Sequence, residues 1–344
     1  MACVGGPPIT IRQSIGGGAK NMAQATKPRP KSLAAQQEEA LTKVGKSKGL
    51  SNTWWSWGLL VPVLVFFILM NVLPTIWMLG LSFYNFTLTS AGTPRFLGLD
   101  NYQKLATDGP LWLAIGRTFT FTVLAIAIQT ILGALVGYLF WKSSSMPGRR
   151  LALTLLFTPM IVTPLASGLF WRLLLDPVFG LVNYVMTLFG LERLNFAQDV
   201  TWAFPTVLFV DTWMWTPFMA LMTLAALGSV PKAELEAAKV DKLSFWQTLF
   251  NIIIPYGKFI IILGILLRTI DVFKTFDLIY LMTNGGPGDR TELIAVGLYR
   301  LAFRSFNLGY SSTLAVLLLF IAIALTSLYL FVLNLRSRRE EIRS

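Results

Sequence analysis

The sequence predicts an all-α integral membrane protein, a bundle of six transmembrane helices, and three observations carry that prediction. Hydrophobic residues make up 54% of the 344-residue chain and charged residues only 13%, about half the ~25% of an ordinary soluble domain. With a mean hydropathy of +0.62, too little polar surface remains to wrap a single buried core. The apolar residues also run in long continuous blocks, without the period-2 alternation of a membrane barrel strand.

Six runs of roughly 20 mainly apolar residues mark the spans. The first two are Trp57 to Ser82 and Thr118 to Trp141. The third, Leu151 to Leu174, holds Pro159 and Pro164. Each proline removes a backbone hydrogen bond, so both are expected to kink the helix. The fourth runs from Trp202 to Leu227. The fifth, Ile252 to Met282, is long and charged in its second half, so a tilt or break is expected there. The sixth is Tyr310 to Asn334.

The net charge of +12 suggests nucleic acid until its distribution is considered. Eight basic residues precede the first span, and Lys142, Arg149, Arg150, Lys232, Lys239, Lys242, Arg336, Arg338, Arg339 and Arg343 lie in the same-side loops and tail. The opposite side holds Arg95, Lys104, Arg117, Arg193, Arg290, Arg300 and Arg304. Positive charge collects on the cytoplasmic side of membrane proteins, so both termini are expected there, and nucleic acid is not an expected partner.

Residues 1–53 are Gly-, Lys- and Gln-rich and read as a disordered basic cytoplasmic extension, with Met22 a candidate natural start. The permease-sized body spans residues 54–334, and residues 335–344 form a short basic cytoplasmic tail. Gly45-Lys46-Ser47 is like the end of a phosphate-binding loop, but Ala40 stands where that loop needs glycine. An ATP site in this chain is therefore not expected. Histidine is absent and Cys3 is the single cysteine, which removes His-based catalysis, a disulfide within the chain and thiolate metal clusters.

Residues 229–255 form the most structured of the cytoplasmic loops. Pro231 suits the first turn of a short helix, and Ser244 with Gln247 makes a capping-box pattern that opens a second one. The two helices are expected to meet at a turn near Asp241, with Leu235, Ala238, Phe245 and Phe250 free to pack on this bundle or on a partner.

Glu236-Ala237-Ala238, then Asp241, then Ile252 and Pro255, resembles the "EAA" loop of permease subunits of bacterial binding-protein-dependent ABC importers. Phe96-Leu97-Gly98-Leu99-Asp100-Asn101-Tyr102 is similar to the segment opening the external loop of sugar permeases. Phe276-Asp277-Leu278-Ile279-Tyr280 and Thr283-Asn284-Gly285-Gly286-Pro287, with Thr291, resemble the end of their fifth helix. Asp211-Thr212-Trp213 and Thr216-Pro217 also fit, and the resemblance extends from Trp54 to Asn334. It departs at Lys242, where the family has glycine. If that position has φ > 0, lysine costs about 1 kcal/mol, and a differently shaped turn is expected.

The resemblance to the maltose-permease-like class implies the fold of a type I importer permease and a place in a bacterial inner membrane. It also implies that Glu236, Ala237, Ala238, Asp241 and Lys242 couple the chain to a separate ATPase dimer, which holds ATP and Mg. A second permease subunit and a periplasmic or lipid-anchored substrate-binding protein complete the implied assembly, with membrane lipid around it. The implied activity is carbohydrate import by alternating access, with no cofactor and no catalytic centre in this chain.

Within the fifth span, Arg268, Asp271, Lys274 and Asp277 are three residues apart and alternate in sign. Neighbours at i and i+3 touch on a helix, and ionisable groups at membrane depth cost about 2.5 to 3.5 kcal/mol each. Two readings stand: a structural ion-pair ladder, or a polar wall of a translocation path. Asp211 beside Trp213 and Trp215 offers a sugar both a hydroxyl partner and an aromatic face. Tyr280 and Asn284 extend that candidate path. Arg268 and Lys274 would equally suit an anionic solute such as a glycerol phosphate or sugar sulfonate. Gly286-Pro287-Gly288-Asp289 matches the G-x-G-D string of intramembrane aspartyl proteases, but it falls after the span, too shallow to meet Asp211. An ion channel fits six charged spans but lacks a visible selectivity filter.

Overall fold

The structure, a computed structural model, describes residues 53–89, 93–143 and 145–341, with side chains between Trp57 and Phe331. The expected extension before Thr53, with Cys3 and Gly45-Lys46-Ser47, lies outside the described residues. Two units divide the chain between Ile68 and Leu69. In the first, α1 (Thr53–Phe67) is apolar throughout and exposes Leu59, Val63 and Phe66, as a lipid-facing helix does.

The second unit contains α2 (Leu73–Leu81), the short ribbon β1 (Tyr84–Asn85) and β2 (Arg95–Phe96), α3 (Asp100–Thr107) and α4 (Gly109–Lys142). Then come α5 (Arg149–Ile161), α6 (Pro164–Leu174), α7 (Leu181–Leu188), α8 (Ala203–Gly228), α9 (Lys232–Val240) and α10 (Phe245–Thr248). The chain closes with α11 (Ile254–Phe273), α12 (Asp277–Met282), α13 (Ile294–Tyr299) and α14 (Leu308–Glu341), which takes the backbone well into the expected tail. Among the described residues, five runs are long and apolar enough to cross a membrane: Trp57–Leu81, Gly109–Lys142, Ala203–Gly228, Phe245–Phe273 and Leu308–Phe331.

The sixth crossing is the pair α5 and α6, bent by 97°. Here the expectation of two kinks needs correction. Pro159 stays inside α5, whereas Pro164 opens a new helix, where its missing N–H costs nothing. Thr163 before it is extended, as a residue preceding proline prefers, and its hydroxyl caps α6 by accepting from Ala166 N–H at 3.3 Å.

The fifth span breaks in its charged second half, one of the two outcomes expected of it. α11 ends at Phe273, Lys274 is its C-cap, and Asp277–Met282 is a separate short helix.

Small residues set how closely the helices approach. A Cβ on Gly133 would lie 2.5 Å from the Met219 Cβ, and one on Gly137 would lie 2.8 Å from the Thr223 Cβ, so α4 and α8 pack backbone to backbone. Gly257 meets Ala226 and Gly264 meets Met222 in the same way, seating α11 on α8. These two seams bring the polar side chains of three helices together in mid-bundle. At one end of the unit, buried Asn101 donates through Nδ2 to the carbonyls of Ser82 and Tyr84 at 2.9 and 3.1 Å, tying α3 to the turn after α2.

Candidate functional site

The first site grows from the loop between α8 and α11. Pro231 is the N-cap of α9 rather than a residue of its first turn, and Asp241 is the C-cap. Beyond it Lys242 adopts φ +54°. The Leu243 N–H then reaches the Ala238 carbonyl at 3.0 Å and the Lys242 N–H reaches that of Lys239 at 3.2 Å. These two bonds make a Schellman closure with lysine in the glycine position. Lysine thus takes the left-handed conformation at the position where the resemblance has glycine.

The capping box forms as the sequence indicates, with Ser244 N–H donating to Gln247 Oε1 at 2.8 Å and Gln247 N–H to Ser244 Oγ at 3.3 Å. Buried Ala238 packs with Leu227, Val230, Ile252 and Ile253, and Tyr138 and Trp141 of α4 join from beside it. Glu236, Ala237, Asp241 and Lys242 all remain exposed. The loop is therefore a rigid knob with a firm base and an acidic residue on its free face.

The second site lies where α4, α8 and α11 meet. Arg268 is 1% exposed. Its Nη2 donates to Asp211 Oδ2 at 2.5 Å, its Nη1 to Asp271 Oδ2 at 2.5 Å, and its Nε to Gln129 Oε1 at 2.8 Å. Gln129 Nε2 donates in turn to Asp211 Oδ2 at 2.8 Å. The guanidinium also lies over the Trp215 ring, 4.6 Å from its centre, an attraction that strengthens away from water. Asp211 is sealed in, whereas the Asp271 side chain is 37% exposed.

The expected four-member ladder is only half formed. Arg268 pairs with Asp271, but the helix ends before Lys274, which is exposed, as is Asp277. Neither makes an ion pair among the described residues. Trp213 also departs from the expected arrangement. It meets Trp171 edge-on at 5.4 Å and lines an apolar pocket with Leu155, Pro159 and Phe209. Trp215, four residues from Asp211, is the aromatic beside the charges. Gln129 was not singled out from the sequence, although it is a lone amide in a long apolar run.

The remaining candidates lie past the end of α11. Tyr280 stacks on Phe276 at 5.1 Å and accepts from Arg304 Nη2 at 2.9 Å. That guanidinium holds the Tyr280 hydroxyl below the usual tyrosine range. Asn284 takes φ +51°, and its carbonyl accepts from Arg300, which also pairs with Glu292. Tyr280, Thr283 and Asn284 face a pocket of about 570 Å³ with Arg172 and Gln198. Asp289 is exposed and 3.4 Å from Arg300, while Asp211 is closed off by Arg268, so the two carboxylates do not form a catalytic dyad. No cluster of metal-ligating side chains occurs among the described residues.

Comparison with known proteins matches residues 129–340 to the family described as "Binding-protein-dependent transport system inner membrane component". The chain is 30% identical over 274 residues to the trehalose/maltose transport system permease protein MalF of Thermococcus litoralis, covering 79% of this chain and 90% of that protein. It is 30% identical over 277 residues to the sulfoquinovosyl glycerol transport system permease protein SmoG of Agrobacterium fabrum, covering 80% and 89%. Its fold is similar to a chain in the crystal structure of a bacterial alginate ABC transporter in complex with an alginate pentasaccharide-bound periplasmic protein. There the TM-score is 0.72 at 20% identity, over 82% of this chain and 94% of that one.

Proposed function

Because the chain belongs to the binding-protein-dependent transport system inner membrane components, a permease family rather than an enzyme family, we propose that it is one of two permease subunits of an ATP-driven importer of a carbohydrate. Its partners are a second permease, an ABC ATPase dimer that binds ATP and Mg, and a substrate-binding protein outside the membrane. Both termini and the α9 knob face the cytoplasm. The substrate named for MalF supports the sugar class.

The observation that carries the reading is the pairing of a buried polar cluster at membrane depth with an exposed, braced helix at one end of the same helices. α8 bears Asp211 and Trp215 and leads directly into α9; α11 bears Arg268 and Asp271 and leaves the same knob. Nucleotide-driven movement of a partner gripping Glu236 on α9 thus reaches the cluster through two stiff helices. A ligand shifts such an equilibrium only by its differential affinity for the two states. The half-exposed Asp271 and the rim residues Lys274, Asp277, Tyr280 and Asn284 supply the substrate's hydrogen-bond partners, and Trp215 supplies a ring face.

A second reading, import of an anionic sugar derivative, is favoured by exposed Lys274, which lacks an ion-pair partner among the described residues. The substrate named for SmoG supports it. Replacing Lys274→Met separates the two readings: selective loss of anionic-substrate uptake supports the second, and unchanged selectivity the first.

The test of the importer reading is extraction of the tagged chain from its own membrane in mild detergent. An ATPase and a second permease are expected to co-purify. A lone chain, reproducible across detergents, would overturn the reading.

A further inference from the structure

We propose that the corner between the end of α4 and the start of α5 is a binding site for an anionic phospholipid of the leaflet that faces the α9 knob. A cleft of about 270 Å³ opens there, walled by Leu139, Phe140, Met146, Pro147 and Ala152. Its dimensions and apolar lining suit the upper part of an acyl chain.

The rim of the cleft is cationic. Lys142 ends α4, and Arg149 and Arg150 open α5. Arg149 lines the cleft and its Nε donates to the Phe140 carbonyl at 3.3 Å, which fixes the side chain across the corner and leaves its Nη groups to a phosphate.

The corner lacks an internal anion. The sequence has no acidic residue between Asp108 and Asp176, and none of Lys142, Arg149 and Arg150 enters an ion pair among the described residues. Two arginines in the first turn of α5 also oppose the helix dipole, which disfavours cations at that end. A phosphodiester relieves both. Basic pockets beside apolar clefts at the inner interface are where anionic headgroups bind.

The site is also well placed to matter. Tyr138 and Trp141, in the same last turns of α4, pack into the core beneath α9, and Tyr138 lies 5.3 Å from the Phe245 ring. A lipid wedged between α4 and α5 therefore braces the base of the knob. The inference depends on the importer reading only for which leaflet supplies the lipid and for what the knob grips.

The experiment places the purified complex in nanodiscs of equal parts phosphatidylglycerol and phosphatidylcholine and counts retained lipids by native mass spectrometry. The wild type should retain phosphatidylglycerol selectively. The pair Arg149→Gln and Arg150→Gln should lower that retention by about fivefold for each arginine removed. Lys232→Gln, a cation on the same face outside the cleft, should leave it unchanged. Ala152→Phe, which fills the cleft but keeps the charges, should also lower retention, and it carries the test if the arginine pair fails to purify.

Equal retention of both lipids, or an equal effect from Lys232→Gln, would overturn the proposal. Displacement of phosphatidylglycerol by millimolar inorganic phosphate would also overturn it, because the cleft would then recognise a bare anion. Absence of the ATPase from the preparation would count against the importer reading alone, since the cleft lies within this chain and the lipid counts are compared between variants of it.

Discussion

Arg268 and Asp211 sit on different helices, are both shielded from solvent, and meet at 2.5 Å with Gln129 bridging them. Removing one member of a buried pair strands the other's charge, at a cost of about 3–5 kcal/mol. Arg268→Met and Asp211→Leu are each expected to lower the thermal midpoint of the purified chain strongly. Combined, they should recover much of the loss, since no fully buried charge is left without a partner and Asp271, with 37% of its side chain exposed, keeps water as its partner. A double variant as unstable as the worse single one would show that the pair is not a mutual partnership.

Lys242 has φ +54° where a residue without a side chain would be unstrained. Lys242→Gly is expected to stabilise the α9 turn by about 1 kcal/mol, read as a raised thermal midpoint. Lys242→Val should do the reverse, because a β-branched residue tolerates the left-handed region poorly. Destabilisation by glycine would mean that the lysine side chain contributes more than its backbone strain costs.

Outside the spans, Asp176 Oδ1 accepts from the Val178 and Phe179 N–H groups at 2.8 and 2.9 Å. The Phe179 bond, then that from Val178, holds its carboxyl below the usual aspartate range. A depressed folded-state pKa gives stability that is present above the unfolded value and lost as pH falls through the folded one. The wild type should therefore exceed Asp176→Ala in thermal midpoint at neutral pH, and the gap should close as pH falls below about 4. A gap that is constant with pH would contradict this.

Much of the architecture was legible from composition and apolar run length, because a membrane core forces about 20 apolar residues per helix whatever the partners. The capping box and the short helices of the knob were legible too, since Ser244 and Gln247 act locally. What escaped depended on where helices stop and which faces meet. The four charges were spaced as neighbours on a helix although a tilt or break was expected in that stretch, and where α11 ends at Phe273 Lys274 leaves the series. Trp213 was preferred to Trp215 although only the latter, at i+4, shares the Asp211 face. Gln129 is brought to Asp211 by glycine seams between distant segments, a relationship that no single stretch of sequence contains.

The central claim is that the free face of α9 grips an ATPase. With Cys3 the single native cysteine, Cys3→Ser leaves a background in which Glu236→Cys can carry a photoactivatable crosslinker in native membranes. Glu236 is exposed, so folding should be unaffected, and Arg193→Cys serves as a control on the opposite side. The account predicts an adduct between position 236 and an ATPase subunit, and none from position 193. Absence of that adduct at 236, or its equal formation at 193, would contradict the account.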